Sequence, residues 1–496
     1  MKVKSHHIIL IIIFLLALST RLFVAFQTPV LEYEGYFNVR QVESIAETGK
    51  PIINDPLSFG GRILVFTPLF QYITAVFNLF LPVHLTLKLI PNIFASLLVI
   101  VIYLLCYEIT KNRSASLVAS FLSGFVPIFV SETVNSASSF SLLVPLIFLA
   151  LYFILKLEKD NKYAVFFVIN FLILTLISPI TFVIVLSLLF YLLFLKLGQM
   201  KQSSAESELI LFSTFVLIWV YFILFKKILL MHGPQLFWQN IPSQILSEYF
   251  VRTNILEAIY KIGIFPFIGG IYIIYHNMFK DKKRSTSLLI GFAFSISLLL
   301  WFRLIALNTG LIFLGVTLVI LFSQFYRLLF EYLKKTRYVF DGKILFILFI
   351  LLAIMTSVLP SFSYSMKSLQ NTPDVRDIEA LMWLKSNSPD DSVIAATFDE
   401  GHLITAIAGR KNIADHNFLL IPDAKQRLED VDTLFTGPYI TNAVEILNYY
   451  EADYIFFSDN TKERFEIDDL SYGEGDCFKL IYDQNVKIYE SVCRLE

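Results

Sequence analysis

The sequence has 496 residues, 56% of them apolar and only 16% charged, with 49 Phe and a mean hydropathy of +0.67. That balance excludes an ordinary soluble globular protein and makes a bilayer the chain's main solvent. A formal net charge of −1 gives no argument for nucleic acid as a partner, and three cysteines are too few for a disulfide framework.

The first apolar run, Ile8 to Phe26, follows Lys2 and Lys4 as a signal peptide would. It is long for one, contains Arg21 and lacks a small-residue cleavage site before Leu31, so it reads as a retained membrane helix. Further runs near 87–109, 115–131, 139–155, 163–178, 180–197, 208–225, 259–277, 286–302, 305–328 and 343–361 bring the expected spans, each of about 20 residues, to about eleven. Leu64 to Leu81 is apolar but interrupted by Pro68 and Gln71, the pattern of an interfacial or re-entrant helix. Basic residues gather in alternate breaks: Lys111 and Arg113; Lys156, Lys159 and Lys162; Lys201; Lys280, Lys282, Lys283 and Arg284; Lys334, Lys335 and Arg337. The positive-inside rule puts these and the N-terminus in the cytoplasm. Lys226 and Lys227 break the pattern.

Facing outward are then a long first loop (28–86), a second loop (226–258) and a tail from Phe362. The tail alternates helix and strand patterns: helical at Val375 to Ser386 and Ile440 to Tyr450, extended at Ser392 to Phe398 and Tyr454 to Phe457, with a hairpin of Phe478 to Tyr482 and Val486 to Val492. Cys477 and Cys493 flank that hairpin and can pair if the tail is extracytoplasmic. The expected fold is a polytopic α-helical membrane domain over 1–361 and a small extracytoplasmic α/β domain over 362–496.

Chemistry has few places to sit. The first loop opens with two carboxylates, Glu32 and Glu34, and Arg40, close to a membrane helix end; a carboxylate there can bind a divalent cation or act as a base, and a solvated loop explains the same pattern. Asp55 to Arg62 is turn-rich and ends in a cation. Glu248 lies in the second loop, and Arg303 between two apolar runs has no carboxylate nearby in sequence, which suits a phosphate partner or simple snorkelling to the interface. In the tail, Phe398-Asp399-Glu400-Gly401-His402 and Asp415-His416 are acidic and imidazole groups whose spacing fits no standard metal motif.

Tyr33-Glu34-Gly35-Tyr36-Phe37-Asn38-Val39-Arg40 resembles the first-loop pattern of the catalytic subunit of oligosaccharyltransferase, a membrane glycosyltransferase of the GT-C class. Ile245 to Glu248 resembles that family's loop ending in Ser-Glu, Arg303 its pyrophosphate-pairing arginine, and Trp383 to Asp415 the segment around its Trp-Trp-Asp-x-Gly motif. The resemblance implies that Glu34 and Glu248 are catalytic and bind a divalent metal, Mn²⁺ or Mg²⁺. It implies that Arg303 and Arg40 bind the donor phosphate, and that Phe398, Asp399 and Glu400 bind the acceptor. Two positions depart from the pattern: Ser139-Phe140-Ser141 replaces the second acidic motif, with Glu132 nearby, and Thr397 and Phe398 replace the two tryptophans.

The implied activity is transfer of a sugar or glycan from a polyprenyl (dolichyl) phosphate or pyrophosphate to a protein or glycan acceptor at the outer face of the cell membrane. Two other classes compete. A non-catalytic protein that keeps the fold and binds glycolipid or partner proteins is one; a transporter is the other, for which no internal repeat is found.

Overall fold

The computed structural model describes residues 5–238, 254–335, 351–473 and 475–494. Among these, seven helices are long and apolar enough to cross a bilayer: Ser5–Ala25, Val83–Thr110, Phe140–Leu157, Pro179–Leu197, Ser204–Trp238, Arg284–Trp301 and Leu307–Leu333. An eighth crossing results if Ile255–Ile262 and Ile264–Phe279, bent by 95°, form one broken span. The bend falls at Gly263, whose φ of 104° suits glycine. Three expected runs differ. The run at 115–131 is divided into Arg113–Gly124 and Pro127–Ser131, because Pro127 pushes Val126 out of the helical region. The run at 163–178 yields the shorter Lys162–Ile177, and that at 343–361 lies partly outside the described residues. Lys226 and Lys227 ride on the Ser204–His232 helix, which carries the chain further than the expected loop boundary.

Burying a cation in an apolar bundle is costly unless its donors are satisfied. Arg21 is 1% exposed; its Nη1 donates to Thr133 Oγ1 at 2.9 Å and its guanidinium lies 4.8 Å from the Phe129 ring centre. Lys88 donates to the Ala25 and Thr28 carbonyls. These bonds tie the ends of the Ser5–Ala25 and Val83–Ser96 helices to one another and to residue 133.

The first loop contributes two helices, Gly35–Thr48 and Leu69–Asn78, and the two-stranded ribbon β1 (Asn54–Asp55) and β2 (Arg62–Ile63). The Leu69–Asn78 helix is the one expected across Pro68, and it leaves Val76, Leu79 and Phe80 exposed beside it. The C-terminal segment forms a five-stranded sheet from β3 (Val393–Ala395), β4 (Lys411–Asn412), β5 (Tyr454–Phe457), β6 (Phe478–Gln484) and β7 (Val486–Ser491), in the order β4-β3-β5-β7-β6. Strands β4, β3 and β5 run parallel, and β7 and β6 complete the sheet antiparallel. The hairpin and both expected helices are present, and Cys477 pairs with Cys493. The expected strand at 392–398 stops at Ala395, because Thr397 to Glu400 closes a capping box that starts a helical turn.

First loop and tail share a core. Tyr36, Val39 and Val42 pack in one buried cluster with Leu381, Ile394 and Leu403. A polar latch adds to it: Ser58 Oγ donates to Asp415 Oδ2 at 2.6 Å, Phe59 N to Asn412 Oδ1 at 2.7 Å, and Arg62 Nη2 to the Leu419 carbonyl at 2.7 Å. Arg62 also lies 3.8 Å from Asp415, and both side chains are almost fully buried. Replacing Arg62 by Ala removes a cation and leaves that carboxylate buried; we expect a loss of about 3–5 kcal/mol in denaturant melts of the detergent-solubilised protein. Limited proteolysis between residues 50 and 64 is expected to accelerate in the same variant.

Candidate active site

Glu34 is the N-cap of the Gly35–Thr48 helix, yet its carboxylate makes no capping hydrogen bond and is exposed. The chain around it is stitched to segment 132–137: Glu32 N donates to the Asn135 carbonyl at 3.3 Å, Asn135 Nδ2 to the Val30 carbonyl at 3.1 Å, and Asn38 Nδ2 to the Ala137 carbonyl at 3.4 Å. Glycine at 35 permits a close approach, because a Cβ there would meet Leu31 Cβ at 3.1 Å and the Ser136 carbonyl at 3.4 Å. This close approach brings Glu132, at the end of the Pro127–Ser131 helix, within electrostatic reach of Glu32 and Glu34.

Three carboxylates thus gather at the mouth of the bundle. Burial first, and then Glu132 and Glu34, push the Glu32 carboxyl up to about 8. Burial and then Glu34 push Glu132 up to about 7, while Lys261 and a 2.8 Å bond from Asn308 Nδ2 oppose the shift. Glu32 Oε1 is buried without a hydrogen-bond partner. Among the described residues no group of three or more His, Cys, Asp or Glu side chains is arranged to hold a metal, and the orphaned Glu32 oxygen is a hard donor of the kind a divalent cation takes. Glu248 lies outside the described residues. Arg303 is exposed at φ 53° in the turn between the Arg284–Trp301 and Leu307–Lys335 helices, five residues before Asn308.

Other expected roles need correction. Arg40 makes a bidentate pair with Asp55 at 2.7 and 2.9 Å. Phe398 is 3% exposed, packed edge-on against His416 and Phe418 and under the Arg464 guanidinium at 4.1 Å, so it has no face for an acceptor. Glu400 is fully buried; its carboxylate accepts from Thr397 and Ser458 and caps the turn that follows β3. Asp399 is accessible but engaged: its Oδ1 lies 2.8 Å from His416 Nε2 and its Oδ2 accepts from Arg464 at 2.7 Å. Burial alone raises its pKa, and the two cationic partners outweigh that and hold it below the usual carboxylate value. Glu34 reaches this pair as well, since it helps to raise the His416 pKa.

Sequence reasoning singled out Glu34 and named Glu132 as a residue that could substitute for the lost second acidic motif. It missed Lys261 and Asn308, which carry no local signal and join the site only through helix packing.

Residues 6–247, just under half of the chain, match the family model described as oligosaccharyl transferase STT3, N-terminal. No curated protein matches. The Archaeoglobus fulgidus oligosaccharyltransferase tethered to an acceptor peptide with the NVT sequon is similar over 92% of this chain and 69% of its own, at 16% identity and a TM-score of 0.70. The archaeal oligosaccharyltransferase AglB from Archaeoglobus fulgidus with an inhibitory peptide and a dolichol-phosphate gives 92%, 70%, 16% and 0.68; the oligosaccharyltransferase from that organism is also seen in complex with Zn and sulfate. ArnT from Cupriavidus metallidurans bound to undecaprenyl phosphate matches over 97% of this chain and 98% of its own, at 12% identity and a TM-score of 0.59. The fold is that of the GT-C membrane glycosyltransferases. Residues 6–247 resemble the oligosaccharyltransferase family, and the chain shares the fold of the solved structures named above.

Glu32 and Glu132 bind protons more tightly in the folded chain than their ordinary carboxyl value near 4.5, so unfolding releases protons above that value. Their contribution to stability is complete below pH 4.5 and is lost as the pH rises towards 7–8. Glu132→Gln removes one of the two like-charged groups and is expected to raise stability by about 1–3 kcal/mol at pH 8, with no change at pH 4, in melts performed with chelator present.

Proposed function

We propose that this protein transfers a sugar or glycan from a polyprenyl phosphate or pyrophosphate to a protein or glycan acceptor on the outer face of the membrane. The observation that carries the proposal is the gathering of Glu34 and Glu132, from the first loop and the membrane bundle, beside the orphaned Glu32 oxygen. The Glu132 carboxylate occupies the role that Ser139 and Ser141 cannot fill. Outward orientation is supported by the alternation of basic loops and by the Cys477–Cys493 pair, which suits an oxidising compartment.

In this reading the acceptor nucleophile bonds to the anomeric carbon as the bond from that carbon to the carrier's phosphate oxygen breaks. The acceptor's proton passes to the Glu34 carboxylate, and the electron pair leaves on the phosphate. Arg303 and Lys261 supply positive charge for the departing anion. A divalent cation, Mn²⁺ or Mg²⁺, would be held by Glu34 and Glu132, with Glu248 as the further ligand that the family resemblance implies, and would supply Lewis acidity. Asp399, fastened by His416 and Arg464, positions the acceptor. The carriers seen with the similar structures, dolichol-phosphate and undecaprenyl phosphate, support the donor class.

A second reading, a non-catalytic glycolipid-binding protein of the same fold, is favoured by one observation: both oxygens of Asp399 are engaged, one by His416 and one by Arg464. The two separate in membranes supplied with a labelled lipid-linked glycan pool. Transfer that needs Mn²⁺ or Mg²⁺ and falls about 100-fold or more in Glu34→Gln and in Glu132→Gln is expected. Lipid that stays bound without any transfer by the wild type would replace the first reading with the second.

A further inference from the structure

A cavity of about 240 Å³ lies where the first loop meets the C-terminal sheet; the three carboxylates do not line it, and the latch residues Phe59 and Asn412 form part of its wall. Tyr449 and Tyr450 supply its aromatic surface and Asp423, Arg427 and Glu451 its charge, while Phe59, 4% exposed and covered by the Arg62 and Arg427 guanidiniums, forms part of the wall. Arg427 is the floor: its guanidinium is sandwiched 5.4 Å from the Phe59 ring centre and 4.9 Å from that of Tyr450. Its Nε donates to Asp423 Oδ2 at 2.8 Å and its Nη1 to the Ile413 carbonyl at 3.0 Å, an arrangement that leaves Nη2 to point elsewhere. Tyr450 is locked by its hydroxyl, which donates to Asp430 at 2.6 Å, whereas Tyr449 is 71% exposed.

Two of the residues around this cavity hold left-handed backbone, Phe59 at φ 54° and Glu451 at φ 53°. A bulky side chain in that region is strained by about 1–3 kcal/mol, and such strain persists only where surrounding contacts impose it. At Phe59 the imposing contact is visible, the 2.7 Å bond from its amide to Asn412 Oδ1. Both turns aim side chains at the same hollow.

The chemistry of the lining selects a ligand class. Two carboxylates against one guanidinium leave the cavity net negative, which repels phosphate and carboxylate groups. The exposed Tyr449 ring attracts the positively polarised C–H edges of a compact ring, and carboxylates, a guanidinium and a phenol serve hydroxyl groups in both directions. The volume lies below the roughly 300 Å³ at which cavities for larger ligands begin. A peptide strand has no free edge here, because the β4 amide of Asn412 already donates to the Leu57 carbonyl at 3.0 Å. We propose that this cavity is a binding site for one uncharged sugar ring, separate from the carboxylate site and independent of whether that site transfers anything.

The full chain in detergent, titrated with methyl α-mannoside and methyl β-glucoside and followed by saturation-transfer NMR and calorimetry, tests this, with mannose 6-phosphate as the anionic control. Saturable binding of a neutral glycoside is expected, about tenfold weaker in Tyr449→Ala, an exposed position whose loss leaves the fold intact, and similarly weaker in Glu451→Gln. Mannose 6-phosphate is expected to bind more weakly than either. No saturable binding, binding unchanged in both variants, or preference for the phosphate overturns the site. Glu34→Gln separates this from the proposed activity: it should abolish transfer and leave glycoside binding unaltered, so a failure of either property is read without the other.

Discussion

Asp415 is the residue on which the arrangement depends. It is a fully buried carboxylate, and a buried charge is stable only when its partners are in place. Here they are Ser58 and Arg62 from the first loop and His402 from the tail, at 2.6, 3.8 and 3.7 Å. Burial opposes the charged form, and His402, Arg62 and Ser58 together outweigh it, holding its pKa below the ordinary value. First loop and tail are therefore joined at this anion as well as through their shared apolar core. That joint presses the Gly35–Thr48 helix against the Gly401–Ile407 helix and leaves Glu34 between the membrane bundle and the tail.

The bundle contributes in the opposite sense, by holding polar groups where lipid would reject them. Arg21, Asn92 and Thr133 form one hydrogen-bonded set, and Asn92 Nδ2 also donates to the Val134 carbonyl at 2.8 Å. Segment 132–137, which carries Glu132 and is stitched to the first loop, is thereby fixed from below as well. The carboxylates meet because neither of the two segments that carry them is free to move away.

Much of this was legible in the sequence, and the parts that were not share a cause. Apolar runs of spanning length mark the membrane helices because the bilayer imposes length and composition together. The hairpin at 478–491 and the helices at 375–387 and 440–449 are set by local periodicity and were read within a residue or two. The split at Pro127 was present in the sequence and outweighed by the hydrophobic count around it. Arg40, Phe398 and Glu400 show the limit. Their residue types suit binding, but whether a charge or ring is spent internally depends on partners such as Asp55, Arg464 and Ser458, which lie 15 to 66 positions away. Lys261 and Asn308 reach Glu132 from positions more than 120 residues further on, by packing that no periodicity records.

The latch has a consequence for how the molecule is made. Ser58 and Asp415 are 357 residues apart in the chain, and Phe59 and Asn412 are 353 apart. During synthesis from the N-terminus the first loop is delivered early and its partners very late, with most of the bundle inserted in between. Arg62, and the part of the Gly35–Thr48 helix that packs on the Gly401–Ile407 helix, wait for the tail through that whole interval. Assembly of the carboxylate site is then the closing event of biogenesis. A chain truncated before Asp415 carries every carboxylate of the site and lacks the part that holds the first loop in place.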